Sequence, residues 1–151
     1  MTIHDALRER ALDITPLTAL IGQRVYPAKL PQGERRPSVV FQCFRAGQGQ
    51  HLRGPVGIQE TRLQADVYVD EASSDDPFSD ANAIMEALYG DGLGPTASGL
   101  FGFVGDLGGS PATLRILNVA DVLTRGPLSD QDNEVVRVRL QQDFLVHWKA
   151  L

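Results

Sequence analysis

Residues 134–148 alternate between apolar and polar side chains almost without a break. Val136, Val138, Leu140, Phe144, Val146 and Trp148 fall on one side, and Arg137, Arg139, Gln141, Asp143 and His147 fall on the other. A period of two held over that length predicts one long β-strand with a buried face and a wet face. At ~3.3 Å per residue it runs about 50 Å, whereas a compact domain of this size has a radius of gyration of about 15 Å. Such a strand overhangs its own body, and a neighbouring subunit is the usual destination of an overhang.

The same reading extends along the chain. Ile3, Ala6, Leu7, Arg10 and Ala11 recur at helical spacing and predict a first helix over residues 3–13. Thr15 and Pro16 open a short helical turn over 17–21, which Gly22 closes. Val25, Tyr26 and Pro27 form a brief extended piece, and residues 30–37 a loop. Residues 38–45 predict a strand with apolar positions on both faces, hence a central or doubly covered one. Residues 46–57 are too rich in glycine for a packed strand and predict a hairpin tip. Residues 58–70 return as a strand, with Leu63, Ala65, Val67 and Val69 inward and Arg62, Gln64, Asp66 and Tyr68 outward. A second long helix runs from Pro77 or Ser79 to Tyr89 and presents Ala81, Ile84, Met85 and Leu88 on one face. Two further strands are predicted over 100–107 and 113–124, and residues 125–133 read as the turn into the final strand. The order predicts a single α+β domain over 1–151: an antiparallel β-sheet with two helices packed on one face, a long C-terminal strand and an extended β-hairpin.

Composition narrows the function classes. The chain of 151 residues suffices for a real core. A net charge of −5 argues against general nucleic-acid binding, although an acidic wall suits a conduit past which DNA slides. The single cysteine, Cys43, excludes an internal disulfide and suits a reducing compartment. The polar start lacks the apolar core of a signal peptide, and no apolar run approaches the roughly 20 residues of a membrane span. These features predict a soluble intracellular product.

Catalytic chemistry is hard to find. His4, His51 and His147 are not at metal-ligand spacing to one another or to Cys43. Residues 130–134 look like the start of a calcium loop, yet Val135 and Gln141 stand where such a loop needs glycine and glutamate. The glycines at 99, 102, 105, 108 and 109 lack the Gly-Lys-Ser/Thr of a phosphate loop. No nucleophile elbow occurs, and Cys43 sits in mid-strand without a base nearby in sequence. No metal, cofactor or enzymatic activity is expected.

Residues 17–27, with Leu20, Gly22, Arg24, Val25, Tyr26 and Pro27, are similar to the opening of the small tail-completion, or tail-terminator, proteins of long-tailed bacteriophages and gene transfer agents. The strand at 37–42, the return strand at 61–68, the helix with Ala81, Ala83 and Leu88, and the close at 137–148 resemble the family in the same order. Residues 90–111 depart from it, being longer and richer in glycine. The resemblance implies a virion protein assembled in the bacterial host cytoplasm. It forms a ring, usually hexameric, at the head-proximal end of the tail tube, ends tube growth and joins tail to head. The implied partners are further copies of the chain, the tail tube protein and a head-completion or connector protein. DNA passes through the lumen without specific binding, and no membrane is involved.

A ring needs a head-to-tail contact that closes on itself, and strand addition between subunits satisfies an exposed sheet edge. Arg45, His51 and Arg53 on the glycine-rich hairpin, with Arg125, Asp130 and Asp132 on the last turn, are the expected protein-interface residues. Asp66, Asp70 and Asp143 are candidates for lumen carboxylates. A head-side neck protein (a stopper or adaptor) and a small-molecule-binding α+β domain are the alternatives.

Overall fold

A computed structural model describes residues 2–51, 54–132 and 135–151; the side chains of 45–51, 54–56, 130–132 and 135 lie outside that description. Helix α1 spans Ile3–Leu12. Thr2 caps it reciprocally: the Asp5 amide donates to Thr2 Oγ1 at 3.1 Å and the Thr2 amide donates to Asp5 Oδ2 at 3.0 Å. Helix α2, Thr15–Ile21, starts with proline in its first turn and stops at Gly22. Helix α3, Pro77–Tyr89, is capped by Asp76, which accepts from the Ser79 amide.

Strands β1 (Val25–Pro27), β2 (Ser38–His51), β3 (Gly54–Asp70), β4 (Gly105–Leu107), β5 (Leu114–Asp132) and β6 (Val135–Ala150) form one sheet in the order β1-β2-β3-β6-β5-β4. One apolar cluster joins the helices to alternate strand residues. It includes Leu7 and Ala11 of α1, Leu17 and Ile21 of α2, and Ala81, Ile84 and Leu88 of α3. Val39 and Phe41 of β2, Leu63 to Val69 in steps of two along β3, and Val138, Leu140, Phe144 and Val146 of β6 complete it. The inward sets expected for β3 and α3 are these residues.

Five expectations need correction. Among the described residues there are three α-helices rather than two, because the segment after Thr15 makes a full α2. The sheet is mixed, because β1 pairs parallel with β2 (Val25 with Val39), and only the other pairings are antiparallel. Residues 100–104 are not strand, and only Gly105–Leu107 of the expected 100–107 pairs as β4. Their amides are fixed instead by the end of α3 and by β5, Leu100 N to Leu88 O at 2.8 Å and Gly102 N to Val119 O at 2.7 Å. The glycine-rich segment after Arg45 stays in the ladder to His51 opposite Gly54, with two register shifts taking up the irregularity. Residues 125–132 extend β5 rather than turning, down to Asp132 opposite Val135, again through register shifts.

The register sets the shape that matters for assembly. β3 and β6 pair from Gln59 opposite Trp148 to Asp70 opposite Arg137. Past Gln59 the β2–β3 hairpin therefore runs on without β6 beside it. The β5–β6 hairpin closes at the other end of the sheet, beyond Asp70. Among the described residues no helix is long and apolar enough to cross a membrane.

Candidate functional site

Both flanks of the sheet are only partly covered. β4 covers β5 from Leu114 to Ile116, and Gly102 reaches Val119; beyond that no strand among the described residues flanks β5. This stretch exposes Val122 (49%), Leu123 and Leu128 (47%), an apolar rim on an open edge. Between that rim and α3 lies a groove of about 460 Å³, lined among others by Met85, Glu86, Tyr89, Asp121, Pro127 and Gln142. The Tyr89 hydroxyl donates to Asp121 Oδ2 at 3.1 Å and its ring stacks on Phe101, centroids 4.7 Å apart. Burial, then the bond to Asp121, pushes the Tyr89 phenol above its ordinary pKa. Thr124 Oγ1 donates to Gln142 Oε1, which satisfies a buried amide on an otherwise apolar row.

On the opposite flank β1 covers β2 only over Val39 to Phe41. The central position expected for β2 holds there: Val40 is buried, but Phe44 is half exposed. His4, Ala28, Phe41, Cys43 and Phe44 line a second hollow of about 410 Å³. Burial pushes the Cys43 thiol up to about 11, so it is not a thiolate nucleophile at neutral pH.

The polar face of the central strands carries a ladder of charge pairs. Arg62 Nη2 meets Asp143 Oδ2 at 2.6 Å, Arg139 Nε meets Asp66 Oδ1 at 3.2 Å, and Arg35 Nε meets Asp70 Oδ2 at 2.7 Å. All three carboxylates are 3% exposed or less. Arg35 holds the Asp70 carboxyl below the usual carboxylate range. Asp66, Asp70 and Asp143 are therefore neutralised by arginines and are not free charges for a repulsive lumen. Sequence alternation shows that these residues share the outward faces of β3 and β6. The pairing itself depends on register, since Asp143 stands opposite Gln64 and reaches Arg62 diagonally.

The expected interface residues divide into two places. Arg45 and His51 lie on the β2–β3 hairpin, opposite Thr61 and Gly54, and Arg53 lies outside the described residues. Arg125, Asp130 and Asp132 lie on β5, opposite Gln141, Arg137 and Val135. The fold does not bring the two sets together within one chain, because the hairpins project from opposite ends of the sheet. The α3–β5 groove was not anticipated. The signal available for it in sequence was Val122 beside Leu123, which breaks the alternation where β5 shifts register between Asp121 and Leu123.

A family model described as Tail completion protein gp17 matches residues 5–147. Among solved structures, a chain of the "Virion of native gene transfer agent (GTA) particle" superposes with a TM-score of 0.59 at 18% identity, covering 98% of each chain. At that identity the likeness is one of fold. No curated protein sequence matches the chain.

Proposed function

Because the chain belongs to the tail completion protein gp17 family and is thus a structural protein of a phage-type tail, we propose that it forms the ring, hexameric in our reading, that ends the tail tube at its head-proximal end and joins tail to head. The family match over residues 5–147 carries the tail assignment. The ring reading is supported by two long hairpins on opposite ends of a rigid sheet and by two partly open sheet flanks, one on either side. Such a subunit has separate donor and acceptor surfaces, as a head-to-tail contact requires. The tail tube protein and a head-side connector are the proposed axial partners, and DNA is proposed to pass through without base contacts.

The deciding experiment is electron microscopy of purified tail tubes incubated with the protein. A single cap at one end of each tube, with growth arrested there, is the expected result. Attachment to filled capsids but not to tubes would replace this reading with a head-side stopper or adaptor.

A further inference from the structure

The groove between α3 and β5 has acidic walls, Glu86 and Asp121, above Met85, Pro127 and Leu140, and no lysine, arginine or histidine lines it. Its rim exposes Val122 and Leu123. The opposite flank of the sheet has the reverse character. There Pro27, Ala28, Cys43 and Phe44 line the second hollow, with Phe44 half exposed. Arg24 and Lys29 stand on either side of β1. Lys29 is exposed, and Arg24 Nε donates to the Pro37 carbonyl at 2.8 Å, a neutral acceptor that leaves its charge in place. We propose that a neighbouring copy of the same chain docks this β1 flank on the α3–β5 groove. Val122 and Leu123 of one copy then seat in the hollow of the next, and Arg24 and Lys29 of that copy meet Glu86 and Asp121. This inference rests on the ring reading above and names the contact that would close the ring.

Register and charge both favour this occupant. Gln42, in the hollow, stands opposite Gln64, Gln64 opposite Asp143, and Asp143 opposite Leu123. Cys43 is joined in the same way through Leu63 and Phe144 to Asp121. Pro27 of β1 is joined through Phe41, Ala65 and Gln142 to Thr124. The two flanks are therefore level, and a rotation about an axis along the strands keeps them so. Neither edge is built for a continuous ladder between copies. Pro27 has no amide hydrogen, Arg8 Nε donates to Val25 O at 2.8 Å, and Lys29 N donates to Pro27 O at 2.7 Å. β5 shifts register at Val122 and again at Gly126 and Pro127. The contact is thus one of side chains, an apolar rim in a hollow and cations on acids. A two-fold contact through the groove would set Glu86 and Asp121 against their own copies, which like-charge repulsion penalises. Head-to-tail pairing avoids this and leaves every copy with one flank given and one received.

Charge reversal on each flank, and the mixture of the two, provides the test. E86K/D121K and R24E/K29E are each purified and checked by circular dichroism and thermal melting. Each is sized by light scattering, alone and mixed in equal amounts, and is imaged on tail-tube ends. Each variant alone is expected to associate at least ~10-fold more weakly than wild type while remaining folded. The equimolar mixture is expected to recover the wild-type mass, because alternating subunits restore an opposite charge at every contact. If a double variant melts early for loss of the Tyr89–Asp121 or Arg24–Pro37 bond, E86K or K29E alone takes its place. Wild-type assembly in either variant, or no recovery on mixing, overturns this contact and leaves the ring reading standing. Variants that still form rings but no longer cap tubes would assign the groove to the tube protein and overturn the proposal. Absence of rings from wild type both in solution and on tubes would remove both readings.

Discussion

At the scale of single residues, two positions show how local chemistry secures the frame. Gly90, which ends α3, has a φ of +80°, and a Cβ there would sit 2.2 Å from the Gly99 amide nitrogen. The close approach lets the 98–103 loop hydrogen-bond to the end of the helix. Gly90→Ala is therefore expected to cost at least about 1–3 kcal/mol from backbone strain alone, read as a lower denaturation midpoint in urea. Phe144 is fully buried, with its ring 6.1 Å from that of Tyr89. Phe144→Ala should cost about 3–5 kcal/mol by the same measurement. Glu34 sets an acid limit. Arg36 first, with Tyr26 adding a hydrogen bond, lowers its carboxyl to about 2. A carboxyl lowered on folding contributes stability above its ordinary value of 4.5, and that contribution is lost as pH falls toward 2. The melting temperature of wild type should thus drop more steeply between pH 4.5 and 2 than that of Glu34→Gln. Parallel curves would show that the Glu34 cluster carries no such linkage.

At the scale of elements, the β2–β3 hairpin separates folding from assembly. Beyond Gln59 it has no β6 strand beside it, and an isolated two-stranded ribbon adds little stability. Deleting residues 47–54 is expected to leave the melting temperature within a few degrees of wild type while abolishing tail joining. Virions of normal yield and length from that deletion would remove the hairpin from the interface. Arg10 performs the opposite role. Its Nη2 donates to the carbonyls of Ala97 and Gly99, and its guanidinium lies 4.3 Å from the Phe103 ring centroid, so it ties α1 to the glycine-rich loop. How far such elements are legible in sequence follows from how local their causes are. The inward rows of β3 and β6 and the buried face of α3 were readable because each is a periodic pattern. The strand character of residues 46–51 and 125–132 was not. Glycine and proline there argue for turns, and the ladder tolerates them only through bulges that depend on the partner strand.

At the scale of the whole molecule, the net charge of −5 and the paired state of Asp66, Asp70 and Asp143 bear on the passage of DNA. Binding to nucleic acid depends on lysine and arginine neutralising phosphates. No retention of duplex DNA is therefore expected at about 0.15 M salt, measured by mobility shift, and strong retention would contradict the passive conduit. Light scattering across a range of protein concentrations tests the proposed copy number, with six times the chain mass as the expected plateau.

By itself the sequence determined the residues that share a face, the acidic balance and the family likeness, because each is written in local order or in totals. Only the tertiary structure decided the parallel pairing of β1, the opposite projection of the two hairpins, the arginine partners of the three buried carboxylates and the α3–β5 groove. Each of these depends on which strand lies beside which and in what register. That choice is made by burying all the apolar faces at once, and no single segment carries it.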